Sequence, residues 1–92
     1  MNEGENRFAL CNQISRAAIS ITSNIAEGVS RTSNKEKVHF IEFAYASMME
    51  VDSQLDVSIA LGYITKEQYN VIEEMIVAIS RQLSALRSKY KE

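Results

Sequence analysis

The residues of this chain that could do chemistry are few and scattered. Glu36, His39 and Glu42 sit in an EKVHFIE run, with Glu-x-x-His spacing and a second carboxylate one turn further on. In helical di-iron proteins that spacing projects both side chains inward onto the metals. Such a centre needs two copies of the motif, and His39 is the only histidine. The spacing therefore predicts His39 on the rim of a bundle and no metal site. Cys11 is the single cysteine. It has no histidine nearby in sequence and falls within a helical segment rather than at an activating N-terminus. It is expected as a small core or interface residue, and an internal disulfide framework or zinc ribbon is excluded. There is no glycine-rich phosphate loop and no nucleophile elbow. The residues point away from an enzyme and imply no cofactor.

The remaining polar residues read as structure. Glu27 lies near the end of the first helical segment, where an acid opposes the helix dipole unless it is paired. With Asn24 and Glu50, it is expected in a polar network with Arg16 or Arg31 that fixes helix register.

Charge is segregated along the chain. The net charge is −2, but residues 7–37 hold five cations against Glu27 and Glu36. Residues 38–80 hold seven acids against Lys66 alone, and 81–92 hold Arg81, Arg87, Lys89 and Lys91 against Glu92. Folded as helices running up, down and up, this order brings Arg31, Lys35, Lys37, Arg87, Lys89 and Lys91 to one end. Those six are the candidate nucleic-acid contacts. The opposite end receives Glu3, Glu5, Asp56 and Glu67, with Asp52 one turn away. Helix-dipole complementation accounts for the third helix but not the second, which begins on Lys35 and Lys37 and carries Asp52 and Asp56 near its end.

Three helices must position these residues. Ile14, Ala18, Ile21 and Ile25 step by four, three and four, predicting a helix over about 7–29 with Gly28 as its stop. Ser33 and Glu36 form a capping box opening a helix over about 34–61, with Gly62 as its left-handed cap. The seam of that helix is Ile41, Ala44 or Tyr45, Met48, Val51, Leu55 and Ile59. Thr65 and Gln68 form a second box, opening a helix over about 66–90 along Ile72, Ile76, Ile79, Leu83, Leu86 and Tyr90. With 92 residues, no proline and three glycines, the chain reads as one all-α domain, 1–92. The expected architecture is an up-down antiparallel helical bundle of three long helices. No apolar run approaches the roughly 18 residues that span a bilayer, so no membrane association and a cytoplasmic location are expected.

More apolar positions are present than one seam per helix needs. Phe8, Cys11 and Ile19 lie off the first, Phe40, Phe43 and Met49 off the second, and Val71, Met75 and Val77 widen the third. Part of this is the ordinary width of a globular helix stripe. The rest predicts cover from other subunits.

The run from Gln13 to Gly28, with its Ser-Asn-Ile-Ala-Glu-Gly end, resembles the signature of the bacterial four helix bundle protein family. That family is also called the 23S rRNA intervening-sequence protein family, and it includes the accessory variability determinant of diversity-generating retroelements. Further matches follow in order: Ser33, Lys35, Glu36, Phe40, Ile41, Ala44, Ser47, Glu50, Leu55 and the Leu61-Gly62-Tyr63-Ile64 turn. The family motif thus carries Arg16, Asn24, Glu27, Gly28, Glu50 and Gly62. The resemblance implies a helical bundle that assembles into a homo-oligomeric ring, a pentamer in characterised relatives. In the retroelement branch the ring binds nucleic acid and a partner reverse transcriptase. This chain departs from the pattern in three ways. It lacks a first helix before Arg7, it has Thr22 where many members have a kinking proline, and it is acidic overall.

The function expected is therefore a non-enzymatic homo-oligomeric helical-bundle scaffold or adaptor, a nucleic-acid-associated accessory protein contacting RNA or DNA. The alternative is a protein-binding module whose apolar groove takes a partner helix.

Overall fold

The structure is a computed structural model that describes residues 3–91, and the described residues are all-α. They form α1 (Glu3–Ser30), α2 (Asn34–Ala60) and α3 (Lys66–Tyr90). The ends of these helices follow from local chemistry. Ser33, in extended backbone, caps α2 by accepting from the Glu36 N–H. Thr65 caps α3 with both halves of the box formed, Gln68 N–H to Thr65 Oγ1 at 3.1 Å and Thr65 N–H to Gln68 Oε1 at 2.9 Å. After α2, Gly62 takes φ +75°. Its N–H bonds to the Ile59 carbonyl, and the Tyr63 N–H to that of Ser58. That bond pair is the Schellman stop expected at this glycine.

The first helix differs from expectation. It starts a turn before residue 7 and runs through Gly28 to Ser30. Arg7 holds its N-terminal part against the second turn, donating to the Tyr63 carbonyl at 3.1 Å and lying over the Tyr63 ring. Gly28 is not a stop. A Cβ there would meet the Phe40 Cβ at 3.1 Å and the Lys37 carbonyl at 3.4 Å, so the glycine lets α1 and α2 touch backbone to backbone. Gly28→Ala is expected to lower the unfolding free energy by about 1–2 kcal/mol, because the clash exceeds alanine's helix-forming advantage. Urea denaturation followed by far-UV circular dichroism reads that loss. An unchanged or raised midpoint would show that the helices part freely.

Helix α2 runs antiparallel to both neighbours, as the Arg7–Tyr63 and Gly28–Phe40 contacts on one side and the Tyr69–Asp56 and Arg87–Glu42 contacts on the other require, whereas no Cα atoms of α1 and α3 come within 8 Å of one another. The Cα extents are 48 × 24 × 13 Å. The 24 Å width fits three helix axes in a row at the usual spacing of about 8–10 Å. The three helices therefore form an open layer. The core runs along α2 through Ile41, Ala44, Met48, Val51 and Leu55, with Ala17 and Ile21 from α1 and Ile76 and Leu83 from α3.

The α1 seam departs from the one expected at Ala18. Ala17, Ile21 and Gly28 are buried, while Ala18 is exposed. The side toward α2 includes the small polar residues. Ser20 and Ser47 hydroxyls bond at 2.8 Å across the helices, and Asn24 donates to the Ser20 carbonyl and hydroxyl. Small side chains allow the close approach, and their hydroxyls satisfy one another. The Ile14–Ala18–Ile25 stripe instead borders one face of the layer. On α3, Ile72, Ile79 and Leu86 border the same face, since α1 and α3 run parallel and turn in the same sense. Ile14, Ile25, Ile72, Ile79 and Leu86 are half-buried against the core, which the buried α2 seam fills beneath them. The result is an apolar trough along that face. No described helix is long and apolar enough to cross a membrane.

Candidate nucleic-acid interface

The end of the layer formed by the first turn and the C-terminal part of α3 gathers the six expected cations, in three different states. Arg31 is neutralised: its Nη2 lies 2.7 Å from Glu27 Oε1, and its guanidinium sits 4.8 Å over the Phe40 ring. Glu27 thus has Arg31, one turn on, as the partner its place near a helix end requires. Arg16, the alternative partner, is exposed. Arg87 is likewise paired, with Nε and Nη2 donating to Glu42 Oε1 at 3.3 and 3.2 Å across α3 and α2. Lys37 and Lys89 approach Tyr90 with their ammonium groups 4.8 and 5.4 Å from its ring centre. Both distances are within cation–π range.

Lys35 and Lys91 line a cleft of about 320 Å³ with Asn34, Val38 and Tyr90. Among the described residues, Lys35, Lys37, Lys89 and Lys91 make no ion pair with an acid. The cleft lies at the start of α2, where the helix dipole adds positive potential. The lysines at the head of α2, which helix stability disfavours, thus sit beside those at the tail of α3. The arrangement suits phosphate oxygens. Tyr90 and Phe40, read from sequence only as seam and surplus apolar residues, are the aromatic platforms that hold the cations. Their spacing to Lys37, Lys89 and Arg31 becomes visible only with the helices side by side.

The other residues singled out by sequence lie elsewhere. Glu50 is exposed and accepts from Gln54 at 3.3 Å. His39 is exposed, as a rim residue should be, with its ring edge-on to Phe43 at 4.4 Å. Cys11 is exposed, not in the core of this chain. One cluster went unread: Asp52, Asp56 and Glu73 bring carboxylate oxygens within 4.8 Å of one another across α2 and α3.

Residues 2–85 match the family of 23S rRNA-intervening sequence proteins. No curated protein matches the chain.

Proposed function

We propose, from the premise that the chain belongs to the 23S rRNA-intervening sequence protein family, that it is a non-enzymatic homo-oligomeric scaffold whose basic end contacts nucleic acid. The observation that carries this reading is the uncovered trough. The chain exposes 6222 Å², where a compact protein of its mass would expose about 5,400 Å². The excess, on the order of 800 Å², equals one partner's share of a standard interface. The rims of the trough continue into exposed apolar residues, Val71 and Met75 at 56% and 59% exposure on α3. A helix from another copy laid in the trough would complete the up-down bundle and cover that surface. Repetition around a ring of about five copies, the number the family resemblance implies, would join the basic ends into one multivalent surface. A chain of net charge −2 needs such local concentration to hold a polyanion.

Two measurements test the two halves. Light scattering over a concentration series should give a concentration-independent mass of about five chains. A concentration-independent monomer would overturn the ring and redirect the trough to a partner helix of another protein. Gel-shift titrations with structured RNA and duplex DNA should show affinity falling about 10³-fold or more between roughly 50 and 200 mM salt. No shift at the lower salt would overturn nucleic-acid contact.

A further inference from the structure

The α2–α3 contact opposite the basic end is built from acids. Asp52 and Asp56 face it from α2, and Tyr69 and Glu73 from α3. The outer pair is conventional: the Tyr69 hydroxyl donates to Asp56 Oδ1 at 2.7 Å, and the bond to that carboxylate holds the phenol proton, pushing Tyr69 up to about 12. The inner pair is not. Asp52 Oδ1 and Glu73 Oε1 are both shielded from water, and neither has a hydrogen-bond donor. Ionised carboxylates only accept, and two carboxylates with oxygens within 4.8 Å of one another repel. The charges acting on Glu73 are those of Asp52 and Asp56. On the α3 side Glu74 and Arg81 share the adjoining cleft with Glu73. A shielded oxygen left unsatisfied is costly, and one proton between the two oxygens turns the repulsion into a bond.

We propose that Asp52 and Glu73 share a single proton, making the α2–α3 seam a clasp that is closed when the pair is protonated and loosened when it is not. Glu73 is the member that keeps the proton. Its bond to Asp52 comes first, then burial and the neighbouring carboxylates, and together they push it from 4.5 to about 7. Its folded value is raised, so between those two values the unfolded chain has released a proton that the folded chain retains. Stability is therefore full below the lower value and falls as pH rises through the window to about 7. The clasp responds across the neutral range in a protein whose only histidine is elsewhere.

Carbon-13 NMR of the side-chain carboxyls, titrated in the full-length chain, tests this directly. Glu73 should titrate near 7. Glu73 titrating with ordinary glutamates, near about 4.3, would overturn the proposal. The melting temperature should fall by about 4 °C or more between pH 5 and pH 8. Glu73→Gln, whose amide can donate permanently to Asp52, should abolish that fall, and a variant that keeps it would count against the pair. Asp52→Asn should return Glu73 toward the ordinary range in the same spectra. Manganese(II) added alone distinguishes a proton from a cation. Selective broadening of the Asp52, Asp56 and Glu73 signals, with the Glu73 step displaced to lower pH, would mean that a divalent ion occupies the pair and the proton clasp is wrong.

Discussion

Leu83→Ala is expected to lower the unfolding free energy by about 3–5 kcal/mol, the upper part of the range for a buried leucine. Leu83 is 0% exposed, and α3 reaches the buried core through only two residues, Leu83 and Ile76. In an open layer α3 has one neighbour, so the cavity cannot be filled by a helix closing from the other side. A 92-residue domain holds roughly 5–14 kcal/mol in total, so this substitution removes a large part of it. Met75→Ala makes the contrast. Met75 is 59% exposed on the trough's rim, and its truncation should change the stability of a single chain by no more than about 0.5 kcal/mol. If a second copy covers the trough, Met75→Ala weakens assembly instead. Urea midpoints separate the two variants, and light scattering shows whether Met75→Ala loses mass while staying folded. A Leu83→Ala chain as stable as the parent would mean that α3 is held by its polar contacts rather than by its core.

Those two residues also mark how much of the fold the sequence carries. Leu83 was legible because α3 keeps its apolar residues at i, i+3, i+4 and i+7 and its caps in the residues themselves. Both capping positions and the Gly62 stop could be read because each depends on residues within one turn. The seam of α1 holds at Ile14, Ile21 and Ile25 and fails at Ala18, which is exposed while Ala17 is buried. Periodicity finds the most apolar stripe, but α1 turns its small residues, Ala17, Ser20, Asn24 and Gly28, toward α2, since close approach matters more there than apolar area. The Ile14–Ile25 stripe was left to border the trough. The basic end followed from charge order and antiparallel connection alone. What charge order could not show was pairing. Glu42 neutralises Arg87 because α2 and α3 meet in one particular register, and the same register sets Glu73 against Asp52. Register is a tertiary quantity, decided by how side chains interdigitate. Spacing along one helix does not contain it.

Replacing Lys35, Lys37 and Lys91 together with glutamate is expected to abolish nucleic-acid binding without unfolding the chain. The choice follows from the pairing. Arg31 and Arg87 already neutralise Glu27 and Glu42, so reversing them would break structure as well as charge. Lys35 and Lys91 line the cleft at the head of α2 and are exposed, and Lys37 adds its ammonium beside Tyr90. Each lysine that neutralises a phosphate adds about 0.9 to the slope of log affinity against log salt on duplex DNA. Removing three should flatten that slope by about 3 units per site engaged, and reversal adds repulsion. A loss of at least about 100-fold at 0.1 M salt is expected, by fluorescence anisotropy with labelled RNA and duplex DNA. Lys37 also covers part of the Tyr90 ring, so the Lys35→Glu, Lys91→Glu pair serves as a second variant that leaves this contact in place. Its urea midpoint should match the parent's. Lys66→Glu, which makes the same charge change at the opposite end of the layer, is the decisive comparison. If it weakens binding as much as a single reversal in the cleft, the interaction follows net charge and no interface exists at the basic end. If it leaves the affinity and salt slope unchanged, the phosphates are held where α2 begins and α3 ends.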